Sequence, residues 1–261
     1  MNGVLTIALN GFRESRRNRV TSVLVVFALI LVFSVTVSVE FTFSTFDRVM
    51  ADFGLGVIGL VTPALALFLS TGLIPREIER RTIFMVVARP VSRSAFVIGR
   101  YLGNLFTVGF LLLVMAILFL AQLAIMYATT NFGTGIHAPH LVALYGLALE
   151  MVLLTAVAFT FATLSSQFVA TLMATCVYFI GHMAEDLFNL AQRTKVVPFK
   201  LLGTGLYYLF PNFDRLDFKD RATYLDATPM GELATATAYT AAYTVIMLLI
   251  ATAIFERRDF K

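Results

Sequence analysis

Glu150 is a carboxylate set well inside an apolar run, Leu141 to Leu164. An ionisable group at that depth in a membrane is expensive to keep and defaults to a functional hypothesis. It stands roughly two to three turns from one end of its run. It can face a polar cavity, carry a proton, or pair with a neighbour such as Gln122, and a purely structural hydrogen bond competes with these. His182, Glu185 and Asp186 occur together as HMAED. One imidazole and two carboxylates on adjacent turns could begin a metal site, and a polar helix end is the plainer reading. His137 and His140 add imidazoles, but no H-E-x-x-H stands in the chain. No nucleophile–base pair stands out, so the chain is not expected to be an enzyme, and no metal or catalytic residue is assigned.

Two further patterns bear on nucleotides. GLGVIG, Gly54 to Gly59, spells G-x-G-x-x-G. Dinucleotide binding needs that pattern between a strand and a helix. Here it opens an apolar run, where small residues let helices approach. Gly99 and Gly103 form a GxxxG of the same kind. The phosphate-cradling G-x-x-x-x-G-K-[ST] is absent. Any ATP and Mg the system uses must be held by another chain, and no cofactor is expected on this one. The single cysteine, Cys176, excludes an intrachain disulfide and reads as a small packing residue.

The elements that must position these residues are membrane helices. Hydrophobic residues make up 59% of the chain. Several runs approach or exceed the ~18–20 residues that cross a bilayer as helix. The fold class is therefore all-α and polytopic, one transmembrane domain over 1–261. Spans are predicted at about Val20–Val39, Gly54–Ile74, Phe96–Tyr127, Leu141–Leu164, Phe168–Met183 and Ala234–Phe255. The net charge of +4 is explained by topology, so nucleic acid is not expected as a partner. Arginines crowd the N-terminal flank, the 75–100 connection and the C-terminal tail, whereas 40–53 has only Arg48 and 128–140 has none. The positive-inside bias then places both termini in the cytoplasm. The long 184–233 connection lies outside, since long loops translocate largely regardless of charge.

Residues 1–19 read as an amphipathic helix lying on the inner lipid interface, with Leu5, Ala8, Leu9 and Phe12 on one face. A basic topogenic flank is the competing reading. The 75–95 loop predicts a short cytosolic helix. Pro75 suits its first turn, Glu77 and Glu79 its N-terminal dipole end, and Arg89 its C-terminal end. Pro90 interrupts it, and Ser92 can cap the next span. An ordinary charged loop would satisfy the same residues. The external segment predicts a small, partly helical cap, with Phe199, Leu202, Leu206, Tyr207, Leu209 and Phe210 against the outer leaflet. A solvated loop is its alternative.

The order of these features resembles a type-2 ABC-transporter permease, close to the permeases for nitrous-oxide-reductase maturation and gliding motility. The residues that carry the resemblance are Glu77, Glu79, Thr82, then Pro90, Val91, Ser92, Arg93, and Gly99 with Arg100. Arg81 stands where Gly is common and Arg100 where Lys is common. PNFDRLDF (Pro211 to Phe218) and FERRDF (Phe255 to Phe260) are also similar to that group. The resemblance implies a bacterial-type inner membrane protein. It would work as a homodimer, or a pair of related permeases, on two separate ABC ATPase subunits. The coupling contact would comprise Glu77, Glu79, Arg80, Arg81, Thr82, Arg89, Pro90, Ser92 and Arg93, with a minor contact at Ser165, Ser166 and Gln167. A path between the second and fifth spans would involve Thr62, Phe68, Thr71, Thr171 and Thr175, with Glu150 nearby. Export of an unidentified substrate is the expected function. A mechanotransmitter acting on an external or periplasmic protein through Tyr207, Asp214 and Arg215 is the alternative. An ion-coupled carrier or intramembrane enzyme using Glu150 is the third reading.

Overall fold

The computed structural model describes Val25, Val26, Leu29 and residues 46–79, 93–130, 135–194 and 196–257. Among the described residues the secondary structure is entirely helical. The α-helices are α1 (Phe46–Glu79), α2 (Arg93–Thr130), α3 (Ala138–Leu164), α4 (Gln167–His182), α5 (Ala184–Arg193), α6 (Val197–Leu209), α7 (Lys219–Tyr224) and α8 (Met230–Arg257). A 3₁₀ turn covers Asp214–Leu216.

Four helices, α1, α2, α3 and α8, are long and apolar enough to cross a membrane. The α4–α5 pair, bent by 55° at its break, makes a fifth if counted as one span. The chain is thus a multi-pass membrane protein. The 1–19 helix and most of the first predicted span lie outside the described residues, as do 80–92. Val25, Val26 and Leu29 are helical, and Val25 packs on the core beside Leu65 and Leu111.

Pro75 does not begin a new helix. It lies inside α1, which runs unbroken to Glu79. The apolar run and the first residues of the arginine loop are therefore one rod. In a span, neighbouring helices and side-chain hydroxyls can re-satisfy the backbone that a proline frees. The acceptor that Pro75 leaves without its helical donor is the carbonyl of Thr71, whose own hydroxyl bonds the Leu67 carbonyl one turn earlier at 2.8 Å.

α3 is the central column. It packs on α1, α2, α4, α7 and α8, and 18 of its 27 residues are buried. Lipid supplies no hydrophobic drive between helices, so close packing and interhelical hydrogen bonds must hold the bundle. Phe119, Phe159, Leu55, Ile58 and Leu153 fill its interior. Tyr101 of α2 donates to the Val152 carbonyl of α3 at 3.1 Å. Thr160 of α3 donates to the Met247 carbonyl of α8 at 3.1 Å. Asn104 of α2 donates to Ser70 Oγ of α1 at 2.7 Å. The outer faces stay apolar and exposed, as at Leu113 and Ile117 on α2, Phe168 and Phe179 on α4, and Leu249 on α8. Cys176 is exposed on α4, not packed inside. An apolar run fixes that a residue is in the span, not which face of the helix it takes.

Between α4 and α8 the chain builds a cap. α5 and α6 pair closely where a Cβ on Gly203 would come within 2.5 Å of the Ala191 Cβ. α7 rests on α1 and α3. Arg48 of α1 stands over the Tyr224 ring, 5.5 Å from its centroid. Arg221 binds Glu232 of α8 through two 2.7 Å contacts.

Candidate functional site

The segment linking α6 to α7, Pro211 to Phe218, is pressed into the end of the bundle. Asn212, Phe213, Leu216 and Phe218 are buried. Two glycines make the room. A Cβ on Gly146 of α3 would overlap the Leu216 carbonyl oxygen and lie 2.6 Å from Phe218 Cδ2. A Cβ on Gly181 of α4 would overlap the Pro211 carbonyl oxygen and lie 2.5 Å from Phe213 Cδ2. The Gly181 carbonyl accepts the Phe213 N–H at 3.1 Å, and the Asn212 N–H donates to the Tyr239 hydroxyl of α8 at 2.8 Å. The loop backbone is thereby tied to two spans.

This docking brings charges to Glu150. Glu150 is 1% exposed, one turn of α3 beyond Gly146. The Tyr178 hydroxyl hydrogen-bonds its carboxyl, and His182 Nε2 lies 3.5 Å from Oε1. The His182 ring stacks on Phe213 at 5.5 Å and 12°, and Tyr178 lies 5.6 Å from the same ring. From the cap, Lys219 binds Asp217 at 2.9 Å and acts electrostatically on Glu150.

Lys219 also covers Gly59 of α1, where a Cβ would stand 3.1 Å from Nζ. Pro63, four residues on, has no N–H to give the Gly59 carbonyl. The Lys219 ammonium thus lies against the Gly59 face of α1 while its charge is paired with Asp217. Burial works against the Lys219 charge, but Asp217, with help from Glu150 and Asp220, outweighs it and raises its pKa above the usual lysine value. Asp214 is raised too, by burial and then by Glu185, Asp217 and Asp186.

The sequence-predicted residues therefore separate. HMAED divides, with His182 ending α4 and turned to Glu150, and Glu185 and Asp186 opening α5. Among the described residues no group of three or more His, Cys, Asp and Glu side chains is placed to hold a metal ion. His137 and His140 sit at the start of α3, where the His137 N–H donates to His140 Nδ1 at 3.1 Å. GLGVIG lies wholly within α1, and a Cβ on Gly54 would stand 2.5 Å from the Phe119 ring. Thr71 and Thr171 come together, their hydroxyl oxygens 2.7 Å apart between α1 and α4. Thr62 is buried in α1, Phe68 is exposed on it, and Thr175 is half-buried on α4. Arg215 donates to the Tyr207 hydroxyl at 2.6 Å, with Asp214 exposed beside it. Of the coupling residues, Glu77 and Glu79 fall in the last turn of α1 and Arg93 opens α2. Arg80, Arg81, Thr82, Arg89, Pro90 and Ser92 lie outside the described residues. Tyr178, Gly146 and Gly181 carry no sequence signal, and Asp217 and Lys219 stand out in the sequence only as part of a mixed-charge stretch of the external loop. PNFDRLDF was seen, but not where it docks.

A family model described as ABC-2 family transporter protein matches residues 12–182, more than half of the chain. The chain belongs to this family. No match was found among curated proteins. As an ABC-2 family member, the chain is a permease subunit of an ABC transporter, which works with an ATPase subunit. The match spans the arginine loop, α1 to α4 and Glu150, and ends at His182. The cap and α8 lie beyond it.

Proposed function

We propose that this ABC-2 permease uses ATP hydrolysed by separate ATPase subunits to export a substrate. Two copies, or two related permeases, would form the pore. The observation that carries this reading is the family match across a loop whose first residues continue α1 as one helix to Glu79. A push on the 75–95 segment then moves the α1 rod directly. The proposal includes six spans, both termini in the cytoplasm, and a bacterial-type inner membrane. ATP and Mg belong to the partner, and this chain performs no chemistry of its own. The path would run beside Thr62, Phe68, Thr71, Thr171 and Thr175. The Thr71–Thr171 contact supports α1 and α4 as its paired walls.

A second reading has the same engine act on an external protein without translocation. It draws on Arg215, which is exposed, bonded to Tyr207, and 5.7 Å from the Tyr239 ring centroid. That makes a rigid aromatic–cationic surface of the kind favoured at interfaces.

Both readings are tested in vesicles holding the permease with its co-purified ATPase. ATP-driven movement of lipid, glycan or peptide probes supports export. Vigorous ATP hydrolysis with no probe moved, together with an Arg215-dependent external complex, supports the second reading and counts against the first.

A further inference from the structure

Glu150 and His182 meet in a way that needs a hydrogen. His182 Nδ1 lies 3.1 Å from the Tyr178 carbonyl oxygen. A carbonyl only accepts, so Nδ1 carries the ring proton. In the neutral ring Nε2 is then a bare acceptor. It points at Glu150 Oε1, 3.5 Å away. That oxygen is buried and, among the described residues, has no other hydrogen-bond partner. Two acceptors facing each other with no hydrogen between them repel. One hydrogen between them converts the contact into a hydrogen bond, whichever of the two atoms holds it.

The surrounding charges point the same way. α3 contributes Glu150, and α4 contributes Tyr178 and His182. The loop and α7 contribute Asp214, Asp217, Lys219 and Asp220, and α5 contributes Glu185 and Asp186. α1 presents Gly59 to Lys219 at this point. In the immediate cluster Glu150 and Asp217 are two carboxylates against one ammonium, Lys219. Asp214, Asp220, Glu185 and Asp186 add further negative charge from the cap, so the surroundings favour keeping a proton between Glu150 and His182. The cluster's walls are the docked loop itself, since Phe213 covers His182 and Gly146 seats Leu216.

We propose that Glu150 and His182 form a binding site for one exchangeable proton, and that its occupancy holds the cap onto α3 and α4. Loss of the proton sets the two lone pairs against each other beneath Phe213 and loosens the seat. This goes beyond the export reading and does not depend on it.

The test uses the full chain in lipid nanodiscs, followed by infrared difference spectroscopy over about pH 5–9, which brackets histidine and many shifted carboxyl titrations. The expected result is a single protonated carboxyl or imidazolium signal that disappears as pH rises. Glu150→Gln removes it, and His182→Gln shifts its midpoint. Trypsin cleavage after Lys219 should rise over the same pH interval in the wild type and stay constant in Glu150→Gln. Cleavage in the C-terminal tail at Arg257 serves as the protease control. The proposal is overturned if no such signal occurs at any pH, if the signal persists unchanged across the range, or if wild type and Glu150→Gln titrate alike. Should Glu150→Gln fail to fold, His182→Gln with an unmoved midpoint overturns it equally.

Discussion

Leu216 lays its carbonyl oxygen against Gly146, in space that any side chain on α3 would fill. The cap is seated by the absence of a side chain. The match between a bare stretch of helix and a loop carbonyl then decides where Asp217 and Lys219 arrive.

Gly146→Leu should therefore unseat the cap. Backbone must move, so the cost should reach or exceed the ~1–3 kcal/mol of ordinary overpacking. Gly56→Ala in α1 is the contrast. Among the described residues nothing lies within 4 Å of its would-be Cβ, and alanine gains about 0.5–1 kcal/mol in a helix interior. Thermal unfolding in one detergent should rank Gly56→Ala at or above wild type and Gly146→Leu well below it.

Lys219 gives a signed pH prediction. Its folded pKa is raised, since Asp217 and Glu150 outweigh burial. The stabilisation is present in full below the ordinary lysine pKa of 10.5 and is lost as pH climbs through the higher folded value. Melting temperature should drop above that pH in wild type. Lys219→Met should be destabilised already at neutral pH, with the alkaline drop reduced.

Arg221 and Glu232 make a bidentate pair, but their side chains are 36% and 40% exposed. An exposed pair contributes under about 1 kcal/mol. Arg221→Ala should lower stability only slightly and lose even that effect in high salt. A large, salt-insensitive loss would mean that the pair is shielded by a partner.

Thr71 and Thr171 join the helices proposed to line the path. Interhelical hydrogen bonds in membranes average about 0.6 kcal/mol. The Thr71→Val, Thr171→Val double-mutant cycle should show coupling of that order, while ATP-driven transport changes more than stability does. Additive effects on both would detach the pair from the mechanism.

Much of the bundle was legible because run length and apolar periodicity are set locally. Leu141–Leu164 was read from sequence where α3 runs Ala138–Leu164, and the HMAED polar break falls where α4 bends into α5. Pro75 reads as a helix start yet lies inside α1, because proline is permitted both at a helix start and, in a span, inside one. The site was half legible. Glu150 announced itself by its cost, but its partners come from α4 and from a loop about seventy residues away. Gly146 and Gly181 carry no local signal, because the residues that fill the space beside them are remote in sequence. One local signal was present. Pro63 stands four residues after Gly59, which marks a helical carbonyl without its usual donor in the turn that Lys219 covers.

The central claim is that this chain is the membrane half of an ATP-driven pair. Its most direct test is purification from native membranes in mild detergent, with subunit ratio and vanadate-sensitive ATP hydrolysis measured on the product. The account predicts an ABC-type ATPase at one copy per permease chain, lost when Glu77 and Arg81 are reversed in charge while the permease stays folded. A folded permease that purifies with no ATPase, or an ATPase retained in full after that reversal, would contradict it.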